Sequence, residues 1–193
     1  RTPASLSRRN CPGVQHSASE SDFNLERIVP MAQRLSGAGP QAPILARLDS
    51  GFDSAKLMCA SGHHASALAR EIAFIIKWNP RSTPVESLAQ AKVADAGTAW
   101  QALREGKRQC VWSETVQARH GEQRLAVRRI YRLTERTIDK RGQQMLLPEY
   151  ALEGWSTTLP ETFEAPQVIA LYADHGTHEQ FHSAFKTDMD LVR

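Results

Sequence analysis

Apolar residues in the first half of the chain recur mostly at helical spacing. The stretch from residue 22 to residue 36 has this spacing, with Ser21 placed to cap a helix and Pro30 placed to kink it. Two short continuous runs, at residues 44–48 and 74–78, are typical of buried strands. The predicted elements of this half are helices over 22–36, 53–60, 66–71 and 84–105 and strands over 44–48 and 74–78.

From about Arg108 the hydrophobic period changes to two, which indicates strands. The strand-like segments are 110–112, 115–117, 125–133, 145–147 and 154–159, with turns at His120-Gly121 and Arg141-Gly142. A final helix is predicted from Pro166 to the C-terminus, because proline suits the first helical turn. This order predicts an α/β domain over 21–193 with a β-rich insertion at about 101–150, after an irregular terminus over 1–20.

The predicted insertion is strongly basic, although the chain as a whole is not. The net charge is +3 for all 193 residues, whereas residues 101–145 hold eleven Lys and Arg against five Asp and Glu, a balance of +6. We expect antiparallel hairpins with the arginines, Arg128, Arg129 and Arg132 among them, on one face. Such a face can attract a polyanion such as DNA. The alternative is a solvated face whose charges pair with one another.

The apolar runs and the cysteines exclude several classes of protein. No run approaches the roughly 18 apolar residues of a membrane span, and residues 1–10 lack the apolar core of a signal peptide. Three widely spaced cysteines, Cys11, Cys59 and Cys110, form no C-x-x-C pair, which argues against a disulfide framework or a thiolate zinc site. The sequence therefore predicts free thiols in a reducing cytoplasm.

Asp49 is the first candidate site residue. It follows the predicted strand Ile44–Leu48 and precedes a Ser-Gly-Phe turn and Asp53. A carboxylate at the end of a buried strand is well placed to bind a divalent cation, and Mg²⁺ takes a few carboxylate oxygens together with water and phosphate oxygens. The alternative is that Asp49 and Asp53 only end a strand and cap a helix, as Asp does at many turns.

Four polar residues of the predicted C-terminal helix form the second candidate site. Tyr172, His175, Glu179 and Lys186 are separated by 3, 4 and 7 positions, which brings them near one face of a helix. Glu179 suits a metal ion, while His175 and Lys186 suit phosphate oxygens. The alternative is an amphipathic helix with a mixed polar face.

These motifs resemble those of one large group of DDE-class bacterial insertion-sequence transposases. That group carries the signature Tyr-x2-Arg-x3-Glu-x6-Lys, and this chain has Tyr172-x2-His175-x3-Glu179-x6-Lys186, with histidine in place of arginine. The segment LDSGFDS is similar to the strand-end motif with the group's second catalytic Asp. The segments FIIKWN and ALYADHGTHEQFHSAFKTDMDL are similar as well, and the resemblance covers roughly residues 11–193.

The resemblance implies an incomplete ribonuclease-H-like core and DNA transposition by Mg²⁺- or Mn²⁺-dependent cleavage and strand transfer at insertion-sequence ends. Asp49 and Glu179 would be the catalytic metal ligands. Tyr172 and Lys186 would contact phosphates, and His175 would do so more weakly and with pH dependence. DNA would be the partner, the full-length protein would be a homo-oligomer, and it would act at the nucleoid in the bacterial cytoplasm.

The group's first catalytic Asp has no evident counterpart. Residues 1–48 hold only Glu20, Asp22 and Glu26 as acids, and none follows a convincing strand. Two-metal phosphoryl transfer requires a bridging carboxylate, usually that first Asp. We therefore expect a partial chain that is inactive by itself.

Three other hypotheses remain. Trp155, in the strand that leaves the insertion, could stack an extruded base, as relatives can use Trp there, or could be a core residue. The segment HEQFH over residues 178–182 matches the H-E-x-x-H pattern of zinc proteases, but only eleven residues follow it to supply a third ligand. Lastly, the basic insertion could bind DNA without catalysis, in a manner that persists without metal and falls steeply with salt.

Overall fold

The computed structural model of the protein describes residues 30–31, 43–67, 72–81 and 83–174. Residues 30 and 31 are helical, and the rest of the helix predicted over 22–36 lies outside the described residues, as does the terminus over 1–20. The remaining elements, in chain order, are β1 (Ile44–Leu48), a 3₁₀ turn (Ser50–Phe52), α1 (Ala55–Ala67), β2 (Ile72–Lys77), α2 (Val85–Ala94), β3 (Gln101–Arg104), β4 (Lys107–His120), β5 (Gln123–Ile138), β6 (Gln144–Thr157) and α3 (Ala165–Ala173).

All six of these strands belong to one sheet, in the order β1-β2-β6-β5-β4-β3. β1 and β2 are parallel and are joined through α1, as parallel neighbours require a crossover. The other neighbours are antiparallel. The fold is therefore mixed α/β, as the pattern predicts. The β-rich segment predicted at about 101–150 forms most of β3 to β6, and β6 joins it directly to β2.

The two faces of the sheet are covered by different helices. Phe74 and Ile76 of β2 pack under α1, in a cluster with Leu57 and Met58. Ile75 points the other way and packs with residues of α3. Because successive strand residues alternate between faces, a strand covered on both sides reads as a continuous apolar run. We call the two sides the α1 face and the α3 face.

Two helix boundaries predicted from the sequence are wrong. The helix predicted over 84–105 ends at Ala94 and is followed by β3. Asp95 explains the stop, because its side chain accepts the Gly97 N–H at 2.9 Å and its carbonyl accepts the Thr98 N–H at 3.0 Å, which makes a turn. The helix predicted to end near Ala60 continues to Ala67, since no proline interrupts it.

The strand predictions are correct in place, and the strand over 44–48 is exact. Most of the others begin too late or are too short, and those over 74–78 and 154–159 extend one and two residues past the observed ends. The segments 110–112 and 115–117 are one strand, β4, and 154–157 is the end of β6. The predicted turns at His120-Gly121 and Arg141-Gly142 are confirmed, and both glycines have positive φ, 57° and 82°, which glycine adopts without strain. The last helix begins at Ala165 with Pro166 in its first turn. Its predicted continuation beyond residue 174 lies outside the described residues.

Candidate functional site

Asp49 lies directly after β1, as predicted, with an exposed side chain. Its backbone is extended, with φ −74° and ψ 178°, and its Oδ1 accepts the Gly51 N–H at 2.8 Å. Asp49 therefore caps the 3₁₀ turn, which is the role that the alternative interpretation gave it. The cap uses Oδ1, so Oδ2 is the oxygen through which this exposed carboxylate could ligate a cation.

Asp53 has a different role. Its side chain is buried, and its Oδ2 accepts the Asn79 N–H at 2.8 Å, while its carbonyl accepts a hydrogen bond from Arg81 Nη2 at 2.6 Å. Asn79 and Arg81 both follow β2. Asp53 thus links the loop that follows β1 to the loop that follows β2, and its carboxylate has a structural role in this contact.

Arg47 connects the strand that carries Asp49 to the helix that carries Tyr172. Its Nη1 donates a hydrogen bond to the Leu171 carbonyl at 2.9 Å, although the two residues are 124 positions apart in the chain. Arg47 is the register partner of Ile75, which packs with α3. Asp49 lies two positions further along the same extended backbone, so it falls on the same face of the sheet. The structure therefore brings the Asp49 and Tyr172 motifs to one face.

Trp155 lies in the core beside this place, as the alternative interpretation expected. Its side chain is 2% exposed, and its ring centroid lies 6.3 Å from that of Tyr172. Lys77 Nζ lies 4.0 Å from the centroid of the indole, and the Arg132 guanidinium carbon lies 5.2 Å from it. A base could stack on this ring only after one of these cations moved.

Glu153 holds the two cations around the indole. It accepts hydrogen bonds from Lys77 Nζ at 2.8 Å and from Arg132 Nε at 3.0 Å. Burial by itself would raise the pKa of Glu153, but the hydrogen bonds from Lys77 and Arg132 outweigh that cost and lower the pKa below its ordinary value. Two cations and one carboxylate give this cluster, Lys77–Glu153–Arg132, a net charge of +1 on the α3 face.

The prediction that Arg128, Arg129 and Arg132 share one face is wrong. Adjacent strand residues point to opposite faces, so Arg128 and Arg132 lie on the α3 face and Arg129 on the α1 face. Arg128 Nη2 donates to the Phe163 carbonyl at 2.7 Å, and Arg129 Nε donates to Ser156 Oγ at 3.2 Å. All three arginines therefore make bonds within the protein, which agrees in part with the alternative of a paired surface.

A cleft of about 450 Å³ opens on the α1 face, beyond the ends of β1 and β2. We call it the α1-face cleft and define it by Asp53, Ser54, Arg81, Arg119 and Arg129 among its lining residues. This cleft was not predicted from the sequence, because Arg81 precedes the basic insertion and the other two arginines lie on different strands. The available signal was the Asn-Pro-Arg turn directly after a buried strand.

The remaining predicted site residues, His175, Glu179 and Lys186, lie outside the described residues, as does HEQFH over 178–182. Within the part of the chain that is described, no three His, Cys, Asp or Glu side chains are grouped so that they could hold a metal ion. In the same part, no helix has the length and apolar character needed to cross a membrane. Cys59 and Cys110 are buried free thiols, and burial raises the pKa of Cys110.

No protein-family model matches the chain, and no curated protein matches it significantly.

Proposed function

We propose that this chain is part of a DDE-class insertion-sequence transposase with a ribonuclease-H-like core, which cleaves and joins DNA at transposon ends with Mg²⁺ or Mn²⁺. The proposal includes action as a homo-oligomer at the nucleoid of the bacterial cytoplasm. The observation that carries it is the hydrogen bond from Arg47 to the Leu171 carbonyl. This bond joins the two segments, otherwise far apart in the chain, whose sequences resemble catalytic motifs of that group.

The position of Asp49 in the sheet supports the proposal. In α/β sheets, ligands bind outside the carboxyl ends of parallel strands. Asp49 follows the carboxyl end of β1, whose parallel neighbour is β2, and α3 packs on the face to which Asp49 belongs. The segment that follows Tyr172 begins at this face, so it is a suitable source for a second carboxylate, which in our proposal is Glu179.

The donor chemistry of Asp49 fits a hard divalent cation. Mg²⁺ is commonly held by one or two carboxylates and keeps several waters, so an exposed carboxylate with one committed oxygen suits it. Asp53 does not suit it, because its buried Oδ2 accepts the Asn79 N–H. Asp49 and Glu179 would hold the ion, which when bound stabilises the negative charge that develops in phosphoryl transfer.

The positive cluster on the α3 face would orient the DNA backbone. The Lys77–Glu153–Arg132 cluster has a net charge of +1, and the Glu153 carboxylate fixes both cations. Fixed cations bind phosphate without first losing side-chain freedom. Tyr172, whose ring lies edge-on to Trp155, stands at the same place and would contact the phosphate through its hydroxyl, beside His175 and Lys186.

The test is nicking of labelled transposon-end DNA in Mg²⁺ and in Mn²⁺. It compares the 193-residue chain with a longer chain that includes the coding sequence upstream of Arg1, each in wild-type form and with Asp49→Asn or Glu179→Gln. Asp95→Asn is the matched control, because Asp95 is an exposed aspartate that caps a turn at the end of α2. We expect the longer chain to cut, and each carboxylate variant to lose at least a hundredfold in rate.

The other outcomes separate the competing hypotheses. Cutting that survives both Asp49→Asn and Glu179→Gln would show that these carboxylates are not metal ligands. DNA binding that persists in a chelator and falls with salt, with no cutting by either chain, would identify a non-catalytic DNA-binding remnant. Zinc-dependent peptide cleavage without DNA binding would favour the HEQFH segment as a protease motif.

A further inference from the structure

We propose that the α1-face cleft is a second binding site for DNA phosphate, separate from the position of Asp49 on the α3 face. This inference rests on the proposed function, because it takes DNA as the partner. It adds a contact that no sequence motif indicates: Arg81, Arg119 and the N-terminal turn of α1 receive one backbone phosphate.

The charge balance of the cleft favours an anion. Its lining includes three arginines, Arg81, Arg119 and Arg129, against a single acid, Asp53, which leaves +2. Asp53 is a weak competitor for these cations, because its buried carboxylate already accepts the Asn79 N–H. Arginine binds phosphate well, since its planar fork can present two N–H groups to two oxygens.

Hydrogen bonds within the protein hold the Arg81 side chain in position. Its Nη2 donates to the Asp53 carbonyl at 2.6 Å, and its own N–H donates to Asn79 Oδ1 at 3.2 Å. Guanidinium has five N–H donors, so a single contact to a carbonyl leaves capacity for a phosphate. Asp53 and Asn79 belong to the loops after β1 and β2, so two strands of the sheet fix the position of this cation.

The first turn of α1 contributes to the same cleft. Ser54 caps the helix, with its Oγ accepting the Leu57 N–H at 3.2 Å, and both Ser54 and Ala55 line the cleft. The first turn of the helix contains no acidic residue. The positive end of the helix dipole is therefore not offset within that turn and adds to the field of the arginines.

The location of the cleft fits DNA rather than a small anion. Only the 3₁₀ turn Ser50–Phe52 separates Asp49 from Asp53 along the chain. Because Asp49 belongs to the α3 face and the cleft to the α1 face, the two places lie close together on opposite faces at one edge of the sheet. A polymer that crosses this edge can reach both. A single inorganic phosphate ion can occupy only one of the two places. We therefore expect it to compete poorly with DNA for the cleft when the two are at equal concentration.

The experiment measures binding of a fluorescently labelled DNA duplex in EDTA, by anisotropy, across about 50–200 mM salt. Arg81→Gly and Arg119→Gln each remove a cation. Glycine is chosen for position 81 because Arg81 has φ 46°, which glycine accepts more readily than arginine does. Arg81→Lys retains the charge. Arg104→Gln is the matched control, because Arg104 is an exposed arginine on β3 outside the cleft. Thermal unfolding checks that each variant is folded.

One phosphate contact contributes a slope of about 0.9 to the dependence of log affinity on log salt, so at 0.1 M salt it raises affinity roughly 8-fold relative to 1 M salt. We expect Arg81→Gly and Arg119→Gln each to weaken binding by about that factor and to reduce the slope by about 1. Arg104→Gln should stay within about twofold of the wild type, since it lies outside the cleft. Arg81→Lys should keep the wild-type salt slope, because it keeps the charge, and should weaken binding less than Arg81→Gly does, because it loses only the two-donor geometry.

The outcomes distinguish this inference from the proposed function. If the wild type binds DNA but the cleft variants weaken it no more than Arg104→Gln does, the inference is wrong and the transposase proposal is untouched. If the cleft variants weaken binding while Asp49→Asn and Glu179→Gln both leave nicking intact, the cleft stands and the proposed catalytic site is wrong. If the wild type binds no DNA, both are wrong.

Discussion

Gly154 lies directly beneath Trp78, and replacing it with alanine should destabilise the protein. A Cβ built on Gly154 would be 2.7 Å from Trp78 Cε3 and 2.9 Å from Trp78 Cβ, closer than real Cβ contacts come. The backbones cannot separate easily, because the Trp78 N–H donates to the Gly154 carbonyl at 2.8 Å. The indole cannot retreat either, since it is 5% exposed and meets Tyr131 edge-on with ring centroids 5.3 Å apart.

The expected magnitude follows from this geometry. An extra methyl group in a well-packed core costs about 1–3 kcal/mol of the free energy of unfolding. In a domain of this size, 1 kcal/mol corresponds to a shift of about 2–4 °C in Tm. Gly154→Ala should therefore lower Tm by roughly 2–12 °C, and it should lower the urea midpoint with no change in the urea m-value.

Two comparisons isolate the clash with Trp78. Gly62→Ala adds a methyl group inside α1, where the nearest atom is the flexible Leu125 Cδ1 at 3.0 Å, and alanine is favoured over glycine in a helix by about 1 kcal/mol. That variant should be neutral or more stable. Trp78→Leu should partly relieve Gly154→Ala, so the double variant should lose less stability than the two single losses added together. An unchanged Tm for Gly154→Ala, or full additivity with Trp78→Leu, would refute the packing argument.

Two further predictions concern titration. Glu153→Gln should cost about 1 kcal/mol of stability near neutral pH, a value limited by solvent screening because the Glu153 side chain is 37% exposed. The lowered pKa of Glu153 means that this stabilisation is present above its ordinary value of 4.5 and is lost as the pH falls through the folded-state pKa. Urea unfolding of both proteins from about pH 7 down to about pH 3 measures it, and a pH-independent difference would contradict the ion-pair explanation. Burial, followed by the hydrogen bond to Glu114, raises the pKa of Tyr131 from 10.0 to about 12, so its phenol should ionise near pH 12 in an absorbance titration of the folded protein. The stability that this phenol contributes should be complete below pH 10.0 and lost as the pH rises toward 12, and ionisation at its ordinary pKa would show that the ring is not buried.

The parts of the fold that the sequence predicts well are those set by local residue patterns. Ile44–Leu48 and the run before Trp78 are mainly apolar segments of strand length, and both form strands. β2 is buried as predicted, whereas β1 is only partly buried, because it lies at the edge of the described sheet. Gly121 and Gly142 mark turns because the positive φ at both positions favours glycine. Pro166 marks the start of α3 because its missing N–H costs nothing in a first turn.

The errors arise where tertiary contacts compete with local propensity. Residues 95–104 contain good helix formers, yet the chain turns at Asp95 and pairs Gln101 with Gln109 of β4. Only the neighbouring strand makes that pairing favourable, and its presence cannot be seen in a local window. The expectation that three arginines share a face ignored the period-two rule applied to consecutive residues, since Arg128 and Arg129 cannot point the same way in one strand.

The candidate site shows the same division between local and distant information. The residue types and spacings around Asp49 and Tyr172 can be recognised separately, but nothing in either segment indicates that Arg47 reaches the Leu171 carbonyl. The charged residues around Trp155 are even harder to predict from sequence, because they are far apart in the chain. Lys77 is 76 positions from Glu153, and Arg132 is 21 positions from it. The half-buried carboxylate of Glu153 depends on both cations, because removing either leaves its charge only partly compensated. The charged cluster can surround Trp155 because the sheet order places β6 between β2 and β5. A sequence pattern alone would not bring together the four residues concerned, which are Lys77, Arg132, Glu153 and Trp155.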